Sequence, residues 1–225
     1  MTATTWSRRV SAVASLGDPT RRALFDFVRA AGRPVSRDEA AAAAGVTRGA
    51  AAAQLDRLAE EGVLTITFAK PGAGGPGTGR PSKFYSLAVT EVLASVPERS
   101  YELAGELMAE AAERSMTRGV PMADSLRAVG REAGEALGRR HGSIEAVLGA
   151  TGYAPVTDGD GGAIQLANCP FHRLAQGHRE VVCSLSAALL EGALAGCADT
   201  ARGVEPVRAA DGLRECCARI VPREP

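Results

Sequence analysis

The residues of this chain best able to do chemistry are its thiols. Cys169, Cys183, Cys197, Cys216 and Cys217 all fall in the last quarter of 225 residues, with His172 and His178 between the first two. Thiolate-rich sites suit iron–sulfur clusters or zinc, and imidazole can share a zinc with thiolates. The stretch M-T-A-T-T-W-S-R-R lacks the apolar core of an export signal. No run of about 18 apolar residues is present to span a membrane. A cytoplasmic location without membrane partners is therefore expected, and in a reducing compartment grouped cysteines point to metal or redox chemistry rather than structural disulfides. A nucleophile pair of Cys169 with His172 or His178 would need an orienting acid and an oxyanion motif. Neither accompanies them, so no enzyme is expected.

The elements that must position these thiols can be read from the pattern around them. Tyr153–Val156 and Ala163–Ala167 read as the arms of a hairpin, with a turn at Asp158-Gly159-Asp160-Gly161-Gly162. The loop N-C-P-F-H then delivers Cys169 to a helix expected from about Gly177 to Gly196, with Cys183 in its first two turns. Cys197 lies 14 residues further along, about 21 Å away on an unbroken helix, so a small buried hydrophobe is the expected role. Two strands, Gly203–Ala209 and Glu215–Val221, are expected around Asp211-Gly212, which puts Cys216 and Cys217 on the last one. Neighbours on a strand face opposite ways, so one of the pair is expected at the site unless a bulge admits both. Cys169, Cys183 and one of Cys216 and Cys217 make three thiolates. The fourth position is open to the other cysteine, His172, His178 or a non-protein ligand.

The other half of the chain differs in charge. Residues 1–88 carry 12 Lys/Arg against 7 Asp/Glu, and residues 89–225 carry 14 against 19. The zero net charge thus hides a split of +5 and −5, and the first segment is the candidate for phosphate. A helix is expected over Ser7–Ser15. Asp18 caps a second, with Pro19 at its first position and Gly32 at its end. Ser36 and Glu39 form a capping box for a third, stopped by Gly45. Thr47 caps a fourth, ended by Gly62. Strands are expected at Val63–Lys70 and Lys83–Ala88, joined by P-G-A-G-G-P-G-T-G-R-P-S. In this arrangement Thr47, Arg48, Gly49, Ala52 and Gln54 can face a major groove, and Arg80 and Lys83 can reach phosphates.

The segment D-P-T-R-R-A-L-F, the two capped helices and G-R-P-S-K-F-Y-S-L resemble the winged-helix domain of ArsR-type bacterial regulators. The arrangement N-C-P, a following Cys and a late Cys-Cys behind that domain resembles the iron–sulfur-sensing repressors of suf-type operons. That second resemblance implies a cluster on Cys169, Cys183 and Cys216 or Cys217 that modulates operator binding. The family's late cysteines are usually separated rather than adjacent. The expected fold class is α+β: a winged helix-turn-helix over 1–89, a linking or dimerisation helix over 90–120, and a sensor with an antiparallel sheet over 121–225. Helix is expected from Thr90 to Arg118, with Pro97 starting its long piece, and its apolar stripe serves either a dimer or its own chain. The expected function is a homodimeric repressor on duplex operator DNA, controlled by an iron–sulfur cluster or zinc. The alternative is a regulator that binds a small organic effector, with cysteines that only pack.

Overall fold

A computed structural model describes residues 6–69, 81–157, 162–207 and 216–223. The chain divides into two compact units, with the boundary between Ser95 and Val96. Both mix helices with antiparallel sheet, so the molecule is α+β. Among the described residues no helix is long and apolar enough to cross a membrane.

The first unit contains α1 (Trp6–Ser15), α2 (Pro19–Ala31), β1 (Val35–Ser36), α3 (Arg37–Ala44), α4 (Arg48–Glu60), β2 (Leu64–Ala69) and β3 (Ser82–Leu87). Its helix ends follow local chemistry. Asp18 accepts from the Arg21 amide (2.9 Å), and Gly32 and Gly45 close α2 and α3 in the left-handed conformation that glycine adopts without strain. The Ser36 hydroxyl accepts from the Glu39 amide (3.2 Å) while Glu39 accepts from the Ser36 amide (2.8 Å), a complete capping box. β2 and β3 pair antiparallel from Leu64↔Leu87 to Ala69↔Ser82, and β1 adds to the far side of β3, giving the order β1-β3-β2. Leu24, Val28, Val35, Leu55, Leu58, Leu64 and Tyr85 fill the core between helices and sheet. Trp6 Nε1 donates to the Ser95 carbonyl (2.8 Å), which ties the end of the unit to its first helix.

The second unit runs α5 (Tyr101–Arg118), α6 (Met122–His141), α7 (Ile144–Thr151), β4 (Pro155–Thr157), β5 (Ile164–Leu166), α8 (His172–Gly177), α9 (Arg179–Gly196), β6 (Arg202–Pro206) and β7 (Ala218–Pro222). Its sheet has the order β4-β5-β7-β6, all antiparallel. The pair α6 and α9 forms the spine. Gly134 and Gly138 on one helix and Gly192 and Gly196 on the other leave no room for a Cβ, which would overlap the Leu189, Ala193, Arg131 and Glu135 carbonyl oxygens in turn. The two backbones therefore touch directly, an approach that only glycine permits.

Helix 90–118 is shorter than the sequence pattern suggests. It begins at Tyr101, because residues 98–100 are held in a different set of bonds: the Ser100 amide donates to Pro170 O (3.1 Å) and its hydroxyl to Thr151 O (2.9 Å). The expected 90–120 segment is split between the units, and the apolar stripe of α5 (Ala104, Leu107, Ala111) is buried in the core of the second. The last strand begins at Ala218, the residue immediately after the cysteine pair, and a short helix, α8, fills part of the stretch between Cys169 and α9. The expected turns at 158–161 and Asp211-Gly212 lie outside the described residues.

Candidate functional site

Four of the five thiols meet where three pieces of backbone converge. Cys169 sits in the loop after β5, Cys183 in the second turn of α9, and Cys216 and Cys217 in the irregular segment before β7. Both members of the late pair reach the site, against the expectation that alternation would admit one. They precede the strand, so its alternation does not apply to them. The Cys216 amide donates to Leu166 O (3.1 Å) and Cys217 O accepts from the Val207 amide (2.8 Å), which fixes this bend against β5 and the end of β6. Cys197 stands apart at the C-terminal cap of α9, its thiol 3.6 Å from Gly138 O.

The thiols form a line, Cys169–Cys216–Cys217–Cys183, in which each neighbour interacts with the next. Cys216 is nearly enclosed, at 2% exposure, and Cys169 is buried at 9%. Cys183 and Cys217 are half-buried. Interaction with Cys169 and then Cys217, with smaller help from the Ala218 amide and Ser186, holds the Cys216 thiol well below its usual range despite burial. Cys183 is held below that range by Cys217. Cys169 moves the other way, pushed up by Cys216 and by burial, and so does Cys217, pushed up by Cys183 and Cys216.

Two residues that sequence reasoning did not single out position Cys169. The Asn168 amide group donates to Glu98 O (2.9 Å) and to Gly152 O, while its carbonyl accepts from Arg99. Arg99 also donates to Cys169 O (2.8 Å). The Asn of N-C-P is thus a three-way brace for the thiol loop. Behind Cys216 lies a second overlooked pair: Tyr153, wholly buried, has its hydroxyl 2.7 Å from Ser186 Oγ. Either hydroxyl can donate in that pair. Burial, with the thiols nearby, pushes the Tyr153 phenol well above its usual range. Its ring also meets Phe171 edge to face, 6.2 Å between centroids.

Four thiols are the kind of donor set that iron–sulfur clusters and zinc take, but among the described residues no group of three or more His, Cys, Asp or Glu is arranged to hold a metal ion. His172 lies 3.4 Å from Gln176, and His178 is exposed at the junction of α8 and α9.

In the first unit, the expected groove-facing residues cluster at the start of α4. Thr47 caps the helix by accepting from the Ala50 amide (3.2 Å). Arg48 is exposed and pairs with Asp38 (2.7 Å). Gly49 faces open space, Ala52 is half-buried, and Gln54 accepts from Arg21 (3.3 Å). Lys83 is held by both oxygens of Asp56 (2.8 Å each), which also accepts from the Tyr85 hydroxyl (2.9 Å), so it braces α4 to β3. Arg80 lies outside the described residues. Comparison with protein-family models, curated proteins and solved structures found no match to this chain.

Proposed function

We propose that the chain is a DNA-binding transcriptional repressor of the winged-helix kind. The first unit reads an operator and the thiol centre of the second unit governs it. The observation that carries the reading is connectivity: helix, short strand, helix, turn, helix and hairpin, with the short strand completing a sheet of order β1-β3-β2 beside the capped helix α4. That arrangement leaves the N-terminal end of α4 exposed around Arg48 and Gly49, as a recognition helix requires. The cationic surplus of this half supplies the attraction for phosphate. Two copies of the chain would read two half-sites. Binding to promoter fragments, followed by anisotropy across a salt series, tests it. Affinity should fall linearly with salt on logarithmic axes, and a flat response would reject it.

In the second unit, Cys169, Cys183, Cys216 and Cys217 would hold an iron–sulfur cluster, which supplies an oxidant-sensitive centre when bound. The chain's own residues give that centre leverage. The thiols join the β5 loop, α9 and the lead into β7, so whatever links them ties three elements of one core. Protein purified without oxygen should contain iron and sulfide in comparable amounts and absorb visible light. A colourless protein containing zinc alone, unchanged by oxygen, would replace the cluster by the zinc alternative.

A second reading has one observation in its favour. A cleft of about 490 Å³ opens between α9 and β6, lined by Arg131, Glu191, Asp199, Val204 and Arg223 among others. Its mixed charges would suit a small polar effector. In that case replacing Cys169 and Cys183 by Ser would leave regulation intact.

A further inference from the structure

The line of thiols has an outer and an inner half. Cys183 and Cys217 interact directly and both are half-buried, whereas Cys169 and Cys216 lie deeper, at 9% and 2% exposure. Oxidants reach sulfur from solvent, so susceptibility follows exposure as well as thiolate character. Two other pairings are disfavoured by geometry. Cys216 and Cys217 are adjacent, with Cα atoms about 3.8 Å apart, below the usual disulfide span of about 4.4–6.8 Å. Cys197 lies at the opposite end of α9 from Cys183.

We propose that Cys183 and Cys217 form a hydroperoxide-sensitive dithiol that closes to a disulfide while Cys169 and Cys216 remain reduced. The chemistry balances as follows. The Cys183 sulfur attacks one peroxide oxygen; the S–O bond forms, the O–O bond breaks, and the departing hydroxide takes the Cys183 proton to leave as water. Cys217 sulfur then attacks the Cys183 sulfenic acid. The S–S bond forms, the S–O bond breaks, and the leaving hydroxide takes the Cys217 proton as a second water. Two thiols lose two electrons in total and the peroxide gains them. The product joins the start of α9 to the lead into β7. This deepens the proposed thiol centre, and it rests on that grouping of thiols rather than on DNA binding.

The test uses the full chain, reduced and stripped of metal by a chelator, then treated with stoichiometric hydrogen peroxide. Remaining thiols are alkylated and the protein is digested with trypsin without reductant. Two of the five cysteines should escape alkylation, and the peptide 180–202 should appear joined to the peptide 215–219. Fragmentation of the wild-type linked peptide should place the bond at Cys183 and Cys217. The link should survive in Cys197→Ser and Cys216→Ser and vanish in Cys183→Ser and Cys217→Ser. Because the wild-type spectrum locates the bond, a variant that fails to fold does not decide the matter. First linkage of 215–219 to the peptide containing Cys169, overoxidation of Cys183 without a link, or five alkylated thiols would each overturn the proposal. Iron and sulfide measured before chelation, and duplex affinity measured separately, report on the functional reading independently of this result.

Discussion

The two units reach order by different routes. In the first, α2, α3 and α4 are bounded by chemistry within four residues of their ends: Asp18, the Ser36–Glu39 box, Gly45 and Thr47. In the second, the decisive contacts join residues far apart in the chain. Glycines on α6 meet the α9 backbone, Asn168 braces Glu98 and Gly152, and Cys216 meets Cys169. Local rules thus shape a surface that can be presented to a partner, whereas long-range packing builds an interior centre that responds as a whole. A perturbation in the first unit should stay local, and one in the second should spread.

The largest expected effect comes from Gly134→Ala. The added methyl would overlap the Leu189 carbonyl and force α6 from α9. Such overpacking should cost about 3 kcal/mol and lower the melting of the second unit by roughly 10 °C. Calorimetry should show the transition of the first unit unmoved; a uniform shift of both transitions would break the comparison.

Asn168→Ala comes next. It removes a side chain bonded to Glu98 O, Gly152 O and Arg99. The loss should be about 2 kcal/mol, with Cys169 becoming markedly quicker to alkylate. Unchanged reactivity of Cys169 would show that the loop is held by something else.

A smaller effect is expected from the capping box. The Ser36 amide first, then Arg33 and the Ser36 hydroxyl, hold the Glu39 carboxyl down at about 2, from an ordinary value of 4.5. A depressed carboxyl stabilises the fold when ionised, so its contribution is complete above about pH 4.5 and is lost as pH falls through about 2. Glu39 is over a third exposed, so solvent screening reduces its worth, and Glu39→Gln should cost about 1 kcal/mol at neutral pH. The variant's stability should be flatter than wild type between pH 4.5 and 2. Parallel curves would sink the assignment.

How much was legible beforehand follows the same division. The caps at Asp18, Ser36 and Thr47, the stop at Gly45 and the paired strands were readable because their signals are local. Cys169, Cys183 and one of Cys216 and Cys217 were expected together from the placement of the loop, helix and last strand. The start of α5 was not, since Tyr101 becomes its first residue only when Ser100 is bonded to Pro170 and Thr151. The joint presence of Cys216 and Cys217 depended on where β7 begins, a matter of pairing with β5 and β6 that no local pattern records. The run G-x-x-x-G-x-x-x-G at Gly130, Gly134 and Gly138, matched by Gly192 and Gly196, was a signal that could have revealed the α6–α9 contact.

The central claim is that the first unit holds duplex DNA through the exposed start of α4. The most direct measurement is the salt dependence of promoter-fragment binding by the full chain and by Arg48→Ala, with thiols reduced and then oxidised. The wild-type logarithmic plot should be steep, the variant's slope shallower by about one, and thiol oxidation should shift the wild-type affinity. Absence of salt-sensitive binding in both thiol states, or identical slopes for wild type and Arg48→Ala, would contradict that claim.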